Sequence, residues 1–316
     1  MMTSPSNNSN HNTPSANSVS AEPIRMTPDE KHADWPGLWR MVLAMLMSGT
    51  IGLFVVESGQ DNTTVVFWRC LIGGSALLAY LSWRRQWQKL SRINSGWLLL
   101  GGLALVANWF CLFGAYHLSS ISIATLVYHT QPFFLLLIVA VSQRQAIART
   151  QWLLLLLAFC GVALTTGLDI SGSGEQIWLG VGLAAIAAAL YAVATLTTRQ
   201  LTGVPPAQIA GLQMMLGVLI LLPFPKAMLT DLALPQLVPI LMLGLLHTAL
   251  MYNLMYSAFQ RLPVSSIALL SFIYPLVAVV IDLWYYDIKL QPLQILGMVL
   301  ILVAIGLHQR WQLLRR

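Results

Sequence analysis

Charge is what this chain has least of. Asp, Glu, Lys and Arg together make up 9% of its 316 residues, where a soluble domain carries about 25%. That scarcity excludes an ordinary globular enzyme, because a single core of this size cannot hide a composition that is 57% hydrophobic. Cysteine is scarce as well. Cys70, Cys111 and Cys160 are an odd number without CxxC spacing, which gives neither a disulfide framework nor a zinc site. Catalytic signatures are missing: no HExxH, no GxSxG, and no GxxxxGK[ST] loop to bring ATP to this chain. The six histidines are scattered and no acid pair lies inside the apolar runs. The reading is therefore of a non-enzyme, with no catalytic residues, no metal ligands, no cofactor and no nucleic-acid partner.

What the chain has in abundance is long apolar sequence. Its mean hydropathy is +0.71. A membrane-crossing helix needs about 20 apolar residues, and runs of that length follow one another at 38–56, 64–83, 96–116, 120–142, 151–168, 177–198, 208–225, 236–258, 265–284 and 291–309. The runs are continuous rather than alternating, which excludes a β-barrel. The expected fold is all-α and polytopic, with ten transmembrane helices and the lipid bilayer as a constant partner. Residues 1–35 differ: they are rich in Ser, Asn, Thr and Pro without a hydrophobic period, and read as a disordered cytoplasmic tail.

The loops divide by charge. Arg84, Arg85, Lys89, Arg92, Arg144, Arg149, Arg199, Arg261, Arg310, Arg315 and Arg316 fall on one side of a ten-helix threading. Glu57, Asp61, Asp169, Glu175, Asp231 and Asp287 fall on the other, with Lys226 and Lys289. Basic loops stay in the cytoplasm, so both termini are expected inside, in a bacterial cytoplasmic (inner) membrane.

The chain also repeats itself. AYHLSSISIATLVYHTQPFFLLLI around the fourth run corresponds to AFQRLPVSSIALLSFIYPLVAVVI around the ninth. Ala115 and Pro132 align with Ala258 and Pro275, 143 residues later, and Ser122-Ile123-Ala124 aligns with Ser266-Ile267-Ala268 after a one-residue slip. A unit of five helices is odd, so its second copy enters the membrane upside down. Inverted repeats of this kind build secondary transporters whose substrate site lies between the halves. The expected halves are residues 36–170 and 171–316.

These features carry a family resemblance. Val65-Val66-Phe67-Trp68-Arg69 at the start of the second run, the Ala115…Pro132 and Ala258…Pro275 pair, and Asp287-Ile288-Lys289-Leu290 followed by Gly297 and Gly306 together resemble the EamA family of the drug/metabolite transporter superfamily. Ser142 and Gln143 stand where that family often has Glu, so the halves differ electrostatically. The resemblance implies an inner-membrane transporter of small metabolites, often an efflux protein for amino acids or related compounds. A membrane sensor or accessory binding protein without turnover is the alternative.

Polar groups in hydrocarbon cost several kcal/mol when unpartnered, so those inside the runs are the candidate substrate-binding or gating residues. Arg69 is a cation for a substrate carboxylate or for Glu57, with Trp68 beside it. In the fourth run Tyr128, His129 and Gln131 precede Pro132, which frees the carbonyl of Tyr128; an imidazole there also suits proton or ion coupling. Asn108 and Trp109, Tyr191, Gln213, Tyr252 and Asn253, and Tyr274 beside Pro275 add aromatic bodies with polar tips, suited to an organic small-molecule substrate. Small residues such as Gly49, Gly73 and Gly101 permit close helix approach and leave a homodimer open.

Overall fold

A computed structural model of the chain describes residues 34–119, 121–144, 146–166, 175–287, 289 and 291–314. The proposed tail, up to residue 33, lies outside them, as do Asp169, Ile288, Leu290, Arg315 and Arg316. The described residues form helices without strands. In chain order these are α1 (Trp35–Gly49), α2 (Ile51–Ser58), α3 (Asn62–Trp83), α4 (Arg92–Leu118), α5 (Ile121–Tyr128), α6 (Gln131–Gln143) and α7 (Arg149–Thr166). They continue as α8 (Glu175–Gln200), α9 (Pro206–Leu221), α10 (Leu234–Gly244), α11 (Met251–Phe259), α12 (Val264–Leu270), α13 (Ile273–Tyr285) and α14 (Pro292–Leu314). Joined end to end where they run on, they make nine spans long and apolar enough to cross a membrane, and α9 is a tenth, shorter apolar helix.

Local chemistry sets the ends. Asp61 caps α3 by accepting hydrogen bonds from the backbone N–H groups of Thr63 and Thr64 and from both hydroxyls. Partial burial works against the Asp61 charge, but those hydroxyl and amide donors, with Lys226 nearby, outweigh it and hold the carboxyl below its ordinary value. Ser91 caps α4, and Gly59 leaves α2 in the left-handed region at φ 61. Prolines open α1, α6, α9 and α10 within their first two positions, where a missing N–H costs nothing.

Packing pairs α4 with α8, α7 with α14, α3 with α9 and α1 with α11. α7 crosses α14 closely: a methyl group added at Gly161 would sit 2.6 Å from the carbonyl oxygen of Gly297, so only glycine allows this approach. Large apolar side chains such as Leu99, Leu103, Leu153, Leu219 and Leu302 stay exposed on the outside, as a lipid-facing surface requires. Polar clamps hold both ends. At one, Arg261 pairs with Asp34 at 2.7 Å, Gln208 bonds the N–H and C=O of Gln88 at 2.9 and 2.8 Å, and Gln260 donates to the carbonyls of Leu201 and Val204. At the other, the Lys226 N–H donates to Thr64 Oγ1 and the Trp68 indole to the carbonyl of Ala227.

Four of the apolar spans are interrupted. The first breaks at Thr50, the fourth between Tyr128 and Gln131, and the ninth between Leu270 and Ile273. The eighth widens into a π turn over Leu245–Leu250. In the fourth and ninth spans the cause is a proline in the first turn of the following helix, which takes away the donor that would continue the ladder. The first span has no proline there. Its break falls where Gly49 lies against α13, close enough that an added methyl would sit 2.6 Å from the Tyr274 carbonyl oxygen.

Candidate functional site

The irregular segments converge. Gly49, beside the first break, abuts Tyr274 at the ninth. The His129 ring, in the fourth break, stacks on Tyr274 at 4.8 Å and 24° and lies 6.5 Å from Phe272. Thr50 reaches His247 in the π turn, with 2.7 Å between Thr50 Oγ1 and Nε2. Helix ends otherwise expensive to bury are thus gathered in one region, where backbone groups released from the ladders have polar and aromatic side chains within reach.

His129 is the most informative residue of this region. It is 5% exposed, and its Nδ1 stands 2.6 Å from the carbonyl oxygen of Thr125, one turn back. A carbonyl only accepts, so Nδ1 carries the proton and the neutral ring turns a bare lone pair outward at Nε2. That atom is buried and has no hydrogen-bond partner. A buried polar atom left so costs about 1–3 kcal/mol, which makes it a place where a ligand's N–H or O–H is worth most.

Around it stands an aromatic wall drawn from both halves of the chain. Tyr128 stacks on Tyr191 at 6.0 Å. Asn108 donates to Tyr128 Oη at 3.2 Å and to the carbonyl of Ala187 at 2.7 Å, joining α4, α5 and α8. The Tyr191 hydroxyl donates to the Met255 sulfur at 3.6 Å, and Tyr252 stands edge-on to Tyr256 at 5.5 Å. Tyr128, Tyr191 and Tyr274 are only half-buried, so the wall keeps accessible surface. Arg69 borders it, within electrostatic range of Tyr252, and its Nε donates to Thr248 Oγ1 at 3.2 Å.

Other sequence candidates lie elsewhere. The Glu57–Arg69 pair does not form: Glu57 is exposed at the end of α2 and Arg69 turns to Thr248 instead. Both sit near one end of their helices, but α2 follows the Thr50 break and leads its carboxylate outward. Trp68 is a buried tether for the loop at Ala227. Trp109 packs beside Gly217 on the α4–α9 face. Gln213 is a buried cross-link, accepting from Tyr256 Oη at 2.6 Å and donating to the Leu98 carbonyl at 3.4 Å. Gln131 and Pro132 are buried in the first turn of α6, Pro275 in that of α13, and Asn253 is half-buried and joins none of these bonds. Sequence reasoning missed Thr50, Thr248 and Tyr256. The run His247-Thr248 inside an apolar span was the visible signal for the second; the break at Thr50 had none. Among the described residues no three His, Cys, Asp or Glu side chains come together as a metal site would need.

Comparison with known proteins agrees with this architecture. The EamA-like transporter family matches residues 35–167 and again 178–308. An uncharacterized transporter of Bacillus subtilis (strain 168), YxxF, is 30% identical over 276 residues, which is 85% of this chain and 88% of that protein. A solved crystal structure shares the fold with a TM-score of 0.75 at 18% identity, over 85% of this chain and 94% of that one.

Proposed function

Because this chain belongs to the EamA-like transporter family, and is thus a multi-pass membrane transporter, we propose that it is a secondary exporter of small metabolites, amino acids or close relatives, working by alternating access. The observation that carries the reading is the meeting of the broken fourth and ninth spans, with the unpartnered Nε2 of His129 on the ring of Tyr274. Arg69 supplies a partner for a carboxylate. The faces of Tyr128, Tyr191 and Tyr274 and the His129 lone pair supply partners for an ammonium group. A zwitterion carries both kinds of complementary group, and the His129 Nε2 it would meet has no partner within the protein.

In this reading residues 36–170 and 171–316 are inverted halves that rock about the aromatic wall, in a bacterial cytoplasmic membrane with both termini inside. The breaks at Thr50, His129 and Phe272 let each span bend without tearing a continuous ladder. No ATP loop is present in this sequence, so the driving force is an ion or solute gradient.

The test is transport in proteoliposomes, offering pooled amino acids, dipeptides, amines and sugars and reading movement by mass spectrometry. Saturable movement of a zwitterionic solute that falls in Arg69→Ala supports the proposal. No movement of any pool by folded protein, across pH and ion gradients, would favour a sensor or accessory binding protein.

A further inference from the structure

The hydrogen bonds around His247 require one proton more than its neutral side chain and Thr50 can supply. His247 Nδ1 stands 3.2 Å from the carbonyl oxygen of Met242. Its Nε2 stands 2.7 Å from Thr50 Oγ1. Thr50 Oγ1 in turn stands 2.8 Å from the carbonyl oxygen of Met47. The chain thus has three links and ends at both sides on a carbonyl, which brings no proton. A neutral imidazole and a hydroxyl bring two protons between them. If Nδ1 holds the ring proton, the Thr50 hydroxyl must abandon either Met47 or Nε2. If Nε2 holds it, two lone pairs face each other at Met242. Only the doubly protonated ring fills all three links, donating from Nδ1 to Met242 and from Nε2 to Thr50 while Thr50 donates to Met47.

We infer that His247 is a proton-loading site, and that its protonation closes a hydrogen-bond chain tying the π turn of the eighth span to the break of the first. The place suits such a role. A π turn and a helix break are the two elements here whose ladders are already interrupted, so a bond gained or lost between them moves backbone at little cost. The two elements belong to different matched segments, 178–308 and 35–167, so the chain joins parts that alternating access would move against each other.

The surroundings let the proton exchange. From α3 come Arg69, held on Thr248 beside His247, and the buried Cys70. From α11 come Tyr252 and Tyr256; α9 and α10 bring no titratable side chain. From the first span come Thr50 and Phe54, whose ring lies 5.1 Å from the imidazole, while Glu57 is exposed further along α2. Burial of the ring, first, and then the Arg69 cation oppose a positive charge on His247, while the three completed bonds favour it, so the two sides compete for the proton. Binding of the proton stands on this geometry alone; its movement with solute rests on the transporter reading above.

The test is nitrogen NMR of full-length protein carrying 15N-labelled histidine rings, titrated in bilayers from about pH 8.5 down to about pH 4.5, with His247→Gln assigning the signal. The expected result is a passage of His247 from one ring N–H to two. Thr50→Val should move that midpoint down by about one pH unit, the worth of one hydrogen bond to a charged group, and Thr50→Ser should restore it. A His247 that stays neutral throughout in wild type, or a midpoint equal in Thr50→Val and wild type, overturns the proposal. Should Thr50→Val not fold, Thr50→Ala and the wild-type titration carry the same two outcomes. Absence of solute transport would leave the titration result untouched and would count only against the transporter reading.

Discussion

The break in the fourth span and the break in the ninth are nearly the same backbone carrying different chemistry. Each lies just before a proline in the first turn of the next helix, Pro132 or Pro275. The residue leading into that helix has φ −74, ψ −8 at Thr130 and φ −74, ψ 0 at Phe272. Yet the imidazole of His129 stands in one break and the phenyl ring of Phe272 in the other, and the two rings lie 6.5 Å apart. The difference separates two tasks. Proline makes the hinge in both spans by removing a donor, whatever side chain fills the gap. In the proposed function recognition is added on one side only, by an imidazole whose Nδ1 is tied to Thr125 and whose Nε2 is left free.

The comparison breaks first at the side chains. His129→Leu and Phe272→Leu place the same apolar residue in both gaps. Solute flux per folded molecule should fall about tenfold or more in the first, since a hydrogen bond to a buried group is lost, and stay within about threefold in the second. Equal losses would mean that both residues serve packing. The prolines should behave alike instead. Pro132→Ala and Pro275→Ala each restore a backbone N–H that could bridge the break and make the hinge stiffer, so both should slow flux several-fold with little change in thermal unfolding temperature. A slowdown in one alone would show that the two hinges do not share the motion. The smallest effect belongs to a control remote from both breaks, Asp61→Asn. The Asp61 carboxyl is held below its ordinary value in the fold, so its charge adds stability above the unfolded value of about 3.9, and that part is lost as pH falls through the lower folded value. At neutral pH the variant should unfold a few degrees lower at most, and the gap should close as pH falls below the ordinary carboxylate range, with flux unchanged.

Much of this architecture could be read from residue order. The expected runs 64–83 and 265–284 lie within two residues of Asn62–Trp83 and Val264–Tyr285, because continuous apolar sequence of spanning length has one stable form in lipid. The hinges at Pro132 and Pro275 announced themselves through a residue that cannot continue a helix. The break at Thr50 did not, since it depends on Gly49 meeting the Tyr274 backbone more than 220 residues away. Nor did the π turn, whose residues LLHTAL read as an ordinary apolar helix. Among the site candidates, Asn108, Tyr128, His129, Tyr191, Tyr252 and Tyr274 come together, whereas Glu57, Trp68, Trp109 and Gln213 are drawn off to the surface, a loop tether and helix cross-links. A polar residue in an apolar run signals that it has a partner. Whether the partner is solute or protein is settled by helix rotation, which these nearly uniform apolar runs do not encode.

The central claim is that one solute site is shared by the two broken spans. A double-mutant cycle in solute affinity tests it most directly, using His129→Leu, Tyr274→Leu and the pair, with binding of the transported solute measured on purified protein. Two residues whose rings stack on each other at 4.8 Å should, when they hold one solute, be strongly coupled, so the pair should bind little worse than the weaker single variant. Losses that simply add, or a Tyr274→Leu variant that binds as wild type, would place the solute elsewhere and contradict the account.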